Sequence, residues 1–121
     1  MTAIVDDVGE IRRDILMRRL VEVIHHRCFP DGAAIPLDFL VPLELLSEIG
    51  TDDDELGDLF AWLWSRAQSA IFAQDARGDR IAADETQLRA QVYAELAERY
   101  HRRALLRRGN PAANGQADQT G

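Results

Sequence analysis

The chain has 121 residues, is 46% hydrophobic and carries a formal net charge of -7, a composition typical of one globular domain with an acidic surface. All 14 basic residues are arginine, which excludes a Schiff-base lysine and the lysine of a phosphate-binding loop. Cys28 is the single cysteine, which excludes an internal disulfide and a zinc site built from several cysteines.

The first apolar stretch predicts a helix over residues 5 to 28, because its large side chains recur at helical spacing. Its inward positions are Val8, Ile11, Ile15, Leu16, Leu20, Val23 and Ile24. Pro30 and Gly32 predict a turn after this helix. A second, short helix is predicted to begin near Pro42, a residue favoured in a first helical turn, and to end at Gly50.

The stretch from Thr51 to Phe72 predicts the central helix of the domain, because no other segment holds as many large apolar side chains. Thr51 is expected to cap its first turn, with Asp54 at the reciprocal position of a capping box. A loop is predicted to follow over residues 75 to 83.

A fourth helix is predicted from a cap at Asp84, with Gln87 at the box position, to about Arg108. Its expected inward positions are Leu88, Val92, Tyr93, Leu96 and Tyr100. Residues 110 to 121 contain no large apolar side chain and are expected to form a disordered tail. The predicted fold is therefore all-α, a single domain of about four helices over residues 1 to 109.

Two pairs of carboxylates lie one helical turn apart, Glu55 with Asp58 and Glu95 with Glu98. Helix-borne pairs of this kind hold divalent metals, and the pattern resembles that of the all-α nucleoside triphosphate pyrophosphohydrolases, in which ExxE followed by ExxD binds magnesium. Here the order of the two motifs is reversed and no lysine is present. The resemblance implies a metal-dependent hydrolase with these four ligands; the alternative is that they lie on solvated helix faces.

The junction from Leu45 to Leu59 has the glycine turn and apolar positions of a helix-turn-helix. The helix that would read bases begins with acidic residues, which repel phosphates. These residues, which we call the acidic cluster, are Asp52, Asp53, Asp54, Glu55 and Asp58. Binding of nucleic acid is therefore not expected, although a nucleic-acid regulator of this kind stays an alternative.

Three aromatic residues of the central helix, Trp62, Trp64 and Phe72, lie around its circumference at angles that one contact cannot bury. Either the other helices surround this helix or some of the rings contact a partner. Tryptophan and phenylalanine are enriched at protein interfaces, so all three are candidate interface residues.

The third and fourth helices are expected to pair antiparallel, which aligns an acidic helix start with a basic helix end. Asp58 is then level with His101, Glu55 with Ala104, and Asp52 with Arg107. We predict that Asp52 or Glu55 forms an ion pair with Arg103 or Arg107. Such a pair makes the acidic cluster structural.

The sequence favours a small cytoplasmic helical protein that acts through protein–protein contacts. A homodimer, an adaptor, a chaperone and the regulatory subunit of a complex all fit it. No set of residues requires a cofactor. No segment approaches the roughly 18 apolar residues of a membrane span, and the N-terminus lacks the basic region of a signal peptide, so no membrane partner is expected.

Overall fold

The computed structural model describes the backbone of residues 2 to 120 and the side chains of residues 9 to 109. Within that range four helices and no strand occur: α1 is Thr2–Cys28, α2 is Leu43–Ile49, α3 is Asp53–Ala76 and α4 is Arg80–Thr120. The predicted all-α bundle is therefore confirmed. The segment expected to be a disordered tail, residues 110 to 121, lies outside the residues that the structure describes in full.

Helices α3 and α4 form an antiparallel hairpin whose inward residues recur at the three- and four-residue steps of a heptad. Alanine occupies every second inward position of α4, at intervals of seven residues, which lets the two backbones approach closely. The α3 set is Asp53, Leu56, Phe60, Leu63, Ala67, Ala70 and Gln74, and the α4 set is Ala83, Thr86, Ala90, Tyr93, Ala97, Tyr100, Ala104 and Arg107. The rings of Phe60 and Tyr100 stack with centroids 5.7 Å apart, which fixes the alignment of the helices.

Helices α1 and α2 cover one side of this hairpin and close the hydrophobic core. The largest completely buried side chains come from all three of α1, α2 and α3, so the core lies at their junction; they are Leu20, Ile24, Leu46, Ile49 and Leu59. Arg27 at the end of α1 donates two hydrogen bonds to Glu48 of α2, which ties these helices together. The hydrogen bonds and charge of Glu48 raise the pKa of Arg27.

The connection between α3 and α4 is shorter than predicted. It consists of residues 77 to 79, in which Gly78 has a φ of 76° that favours glycine. Asp79 is the residue that caps α4, since its Oδ1 accepts a hydrogen bond from the Ala82 amide at 3.2 Å. The predicted cap at Asp84 is wrong, because this earlier turn and cap start the helix first.

The start of α3 also differs from the prediction by one residue. Asp52, not Thr51, is the N-cap, and its Oδ1 accepts a hydrogen bond from the Glu55 amide at 2.9 Å. Glu55 reaches back, and its Oε1 accepts hydrogen bonds from the amide and the hydroxyl of Thr51. Two carboxylates of the acidic cluster therefore hold the helix terminus.

Gln74 lies on an inward position of the hairpin, and its buried Oε1 has no hydrogen-bond partner among the described residues. A buried amide oxygen without a partner costs about 1 to 3 kcal/mol. Gln74→Met keeps the length of the side chain and removes the polar atoms, so we expect it to raise the free energy of unfolding by about 1 kcal/mol. Thermal denaturation of both proteins measures the change, and a lower melting temperature for the variant would contradict it.

Candidate functional site

The acidic start of α3 is joined to the basic end of α4. Arg107 Nη2 lies 3.0 Å and Arg103 Nε 3.5 Å from Oδ2 of Asp53, a buried carboxylate. Arg108 pairs with Asp54 alongside. Opposite charges therefore close the open end of the hairpin, and each charge is also favoured by the dipole of its own helix.

The pairing involves a different acid from the one predicted. The arginines contact Asp53 instead of Asp52 or Glu55, because Asp53 occupies an inward heptad position whereas Asp52 precedes the first turn as its cap. The carboxylate of Glu55 is used by Thr51. The consecutive acids carry equal charges, but their side chains point in different directions around the helix. The acid that is buried is therefore the one that pairs with the arginines.

The alignment predicted for the hairpin is confirmed at Asp58 and His101. His101 Nε2 lies 2.8 Å from Asp58 Oδ1, and the imidazole crosses the backbone of Gly57 to reach it. A Cβ at position 57 would lie 2.4 Å from Cδ2 of the ring. A side chain at this position would displace the imidazole, so the glycine is explained by the closeness of the ring.

An open groove of about 330 Å³ lies between α1 and the start of α3, next to this histidine. Its lining mixes arginines from α1 with the carboxylates of α3; the residues are Gly9, Arg12, Arg13, Leu16, Asp54, Glu55, Asp58 and His101. Contacts within the hairpin already engage the acids and the histidine. No serine, threonine or cysteine lines the groove, so its side chains of nucleophilic type are the carboxylates and the histidine.

The four candidate metal ligands do not form one cluster. Asp58 binds His101, and Glu55 binds Thr51. Glu98 pairs instead with Arg102 at 3.1 Å, and Glu95 is an exposed residue of α4. Among the residues described, no three His, Cys, Asp or Glu side chains converge in a way that could hold a metal ion.

The junction of α2 and α3 contains a turn like that of a helix-turn-helix, but its second helix begins inside the hairpin. Asp53 is buried there and Asp54 is paired, both against α4. Gly50 at the turn has a φ of -81°, and a Cβ there would lie 2.9 Å from Leu56. This glycine is therefore explained by close packing of the turn onto α3, and not by the left-handed conformation of a C′ residue.

The three aromatic candidates occupy different environments. Trp62 packs against the core, and Arg66 lies over its ring at 5.0 Å while donating hydrogen bonds to the carbonyls of Ile35 and Pro36. Burial lowers the pKa of Arg66. Trp64 is 42% exposed on a flank of α3, and Phe72 is 80% exposed on its outward side. Phe72 and Trp64 are therefore the aromatic rings available to a partner.

A second outward apolar surface, on α4, differs from the sequence-based expectation. Leu88 and Val92 were expected to point inward, yet each is more than half exposed, as are Ile81 and Leu106. Small alanines occupy the inward face of α4, so the larger aliphatic residues remain outside. The sequence feature that could have revealed this inward face is the repeat of alanine at positions 83, 90, 97 and 104.

Comparisons with protein families, with curated proteins and with solved structures find nothing that matches this chain. No helix in the described part of the chain combines the length and the apolar character needed to cross a bilayer. The geometry of the molecule is therefore the basis for a functional proposal.

Proposed function

We propose that this chain is a small cytoplasmic helical protein that acts by binding another protein through the outward face of α3, as an adaptor or a regulatory subunit does. The observation that carries the proposal is the exposure of Phe72, which is 80% accessible on a helix with a complete inward core. Trp64 lies two turns before it and is also exposed. Aromatic residues on the surface of a rigid helix are typical anchors of protein interfaces.

The energetic argument is that an exposed aromatic side chain gains from being covered. Burying a phenylalanine side chain contributes about 1.5 to 3 kcal/mol relative to leaving it in water. Other aromatic residues already occupy the inward positions of the hairpin, where the rings of Phe60 and Tyr100 stack. Phe72 adds nothing to that core, which supports a role in contact with a partner.

The way the charged residues are paired supports a role in protein binding more than a role in catalysis or metal binding. The acids at the start of α3 are paired with Thr51, His101 and the arginines of α4, and Asp53 is held by ion-pair contacts, since its buried Oδ2 accepts no hydrogen bond from the described residues. A charge that is compensated within the chain has little field left for a phosphate or a metal. The exposed apolar side chains of α3 are not covered by the rest of the described chain, so they are the better candidates for binding a partner.

Phe72→Glu tests the proposal, with Ser47→Glu as a control that adds the same charge at an exposed position of α2, outside the outward face of α3. We expect the wild-type chain, tagged and cross-linked in its own cells, to be recovered together with a different protein chain, in a complex larger than two copies of this 13.6 kDa chain, or about 27 kDa. Loss of an interface anchor costs about 2 kcal/mol or more, so Phe72→Glu should weaken binding by about thirtyfold.

Circular dichroism of the purified variants verifies that both retain the helical fold. Ser47→Glu should recover the complex as the wild type does. Recovery of the wild-type chain without any second protein, or equal recovery of the complex by the two variants, would show that this face does not bind a partner.

A further inference from the structure

The outward face of α4 carries a second stripe of residues, on the side of the hairpin away from Phe72. Its members follow one another at alternating steps of four and three, which aligns them along one line of the helix. All six are exposed: Leu88, Val92, Glu95, Arg99, Arg102 and Leu106. We call this set the α4 stripe.

Charge and hydrophobicity are ordered along the α4 stripe. A leucine stands at each end, and the acidic Glu95 precedes the basic pair Arg99 and Arg102. The stripe is therefore complementary to itself when reversed. The order also excludes a parallel copy, because a parallel alignment opposes each charge with an identical one.

We propose that a second copy of this chain docks on the α4 stripe in antiparallel orientation, centred between Glu95 and Arg99. In this alignment Glu95 faces the partner's Arg99, and Leu88 faces the partner's Leu106. Val92 faces the partner's Arg102, whose aliphatic stem covers it. Every stripe position then meets a complementary one, in the layers that antiparallel coiled coils form.

The position of Arg102 supports this alignment. Its guanidinium is held by Glu98 of the same helix, with Nη2 3.1 Å from Oε1. The charged end is thus satisfied on the flank of the helix, and the methylene stem is left along the stripe. From Leu88 to Leu106 the overlap is roughly 27 Å at 1.5 Å per residue, which is short for a coiled coil, so the dimer should depend on concentration and on salt.

The dimer leaves the proposed partner surface on α3 accessible, since the α4 stripe and Phe72 point to opposite sides of the hairpin. The chain would thereby present two copies of the partner surface. The inference is independent of the proposed function, because self-association through α4 requires no contact at Phe72.

Sedimentation velocity of the full chain over a concentration series tests the inference by charge reversal. Glu95→Arg places like charges at the centre of the dimer, and so does Arg99→Glu, so each should raise the dissociation constant by about tenfold or more. The double variant restores opposite charges and should return the dissociation constant to that of the wild type. A mixture of the two single variants should form a heterodimer.

Two further variants refine the test. Glu44→Arg makes the same charge change at an exposed position of α2, outside α4, and should leave the dimer unchanged. Leu88→Glu should abolish the dimer while the far-ultraviolet circular dichroism stays that of the wild type.

A monomer at every concentration, or a double variant as weak as the single ones, would overturn the inference. So would a dimer that Phe72→Glu dissociates and Leu88→Glu does not, although that result would support the proposed function. Loss of partner capture by Phe72→Glu with an intact dimer supports both. Equal capture by all variants with an intact dimer overturns the proposed function alone.

Discussion

Replacing Leu46 by alanine should lower the free energy of unfolding by about 3 kcal/mol, because the substitution leaves a cavity in the core. Leu46 is 1% exposed and lies on α2, at the junction where α1, α2 and α3 meet. A domain of this size is stabilised by only about 5 to 15 kcal/mol in total. The loss is therefore a large share of the stability, and urea denaturation at constant m-value measures it.

Leu43→Ala is the matched control, since it makes the same chemical change one turn earlier in the same seven-residue helix. Leu43 is 54% exposed, so its truncation leaves no cavity and should change the free energy of unfolding by less than about 0.5 kcal/mol. Equal losses at the two positions would mean that α2 is stabilised by its own helical propensity and not by its contacts with the core.

The helices and their alignment were predictable from periodicity, even though the loop was placed with the wrong length. Residues 75 to 83 were expected to connect α3 and α4, and residues 77 to 79 do so. The predicted loop was too long at both ends, so its midpoint moved by only one residue. Asp58 consequently lies level with His101, as the longer loop also implied.

The inward face of α4 was only partly predictable, because large apolar residues are not the ones that α4 buries. The usual expectation places leucine and valine inside. A hairpin that packs closely instead selects alanine at every seventh position, and Leu88 and Val92 are left outside. This choice depends on the distance between helices, which a single helix does not specify.

Tertiary contacts also decided which aromatic residue is available. Trp62 and Trp64 flank the same helix face at similar angles, and their sequence positions alone do not separate them. Arg66 lies over the ring of Trp62 and is held there by hydrogen bonds to the carbonyls of residues 35 and 36, whereas Trp64 is 42% exposed. The carbonyls that hold Arg66 in place belong to a segment about thirty residues away in the chain, and local periodicity carries no information about this contact.

The proposed contacts with other chains follow from the different residues at the open end and on the outward faces of the hairpin. Its open end is closed by ion pairs, two of which reach the buried Asp53. Its two outward faces retain large apolar side chains, Phe72 on α3 and the ends of the α4 stripe. Charge is thus used within the chain to hold the helices together, and hydrophobic area remains for contacts with other chains.

Gly57→Ala should destabilise the wild-type chain and stabilise a chain that carries His101→Ala. In an ordinary helix interior, alanine is favoured over glycine by about 1 kcal/mol. In this hairpin the added Cβ would lie 2.4 Å from Cδ2 and 2.6 Å from Nε2 of His101. The ring must therefore leave its place, which breaks its hydrogen bond with Asp58. We expect a net loss of about 1 to 2 kcal/mol in the wild-type background.

Removal of the ring in His101→Ala leaves nothing for the new Cβ to meet at these distances. The helical preference for alanine then acts alone, so Gly57→Ala should raise the free energy of unfolding of this variant by about 0.5 to 1 kcal/mol. Unfolding of the four proteins in urea completes a double-mutant cycle, and the change of sign is the decisive observation. A loss of stability from Gly57→Ala in both backgrounds would mean that the backbone of α4, and not the imidazole of His101, sets the limit on residue 57.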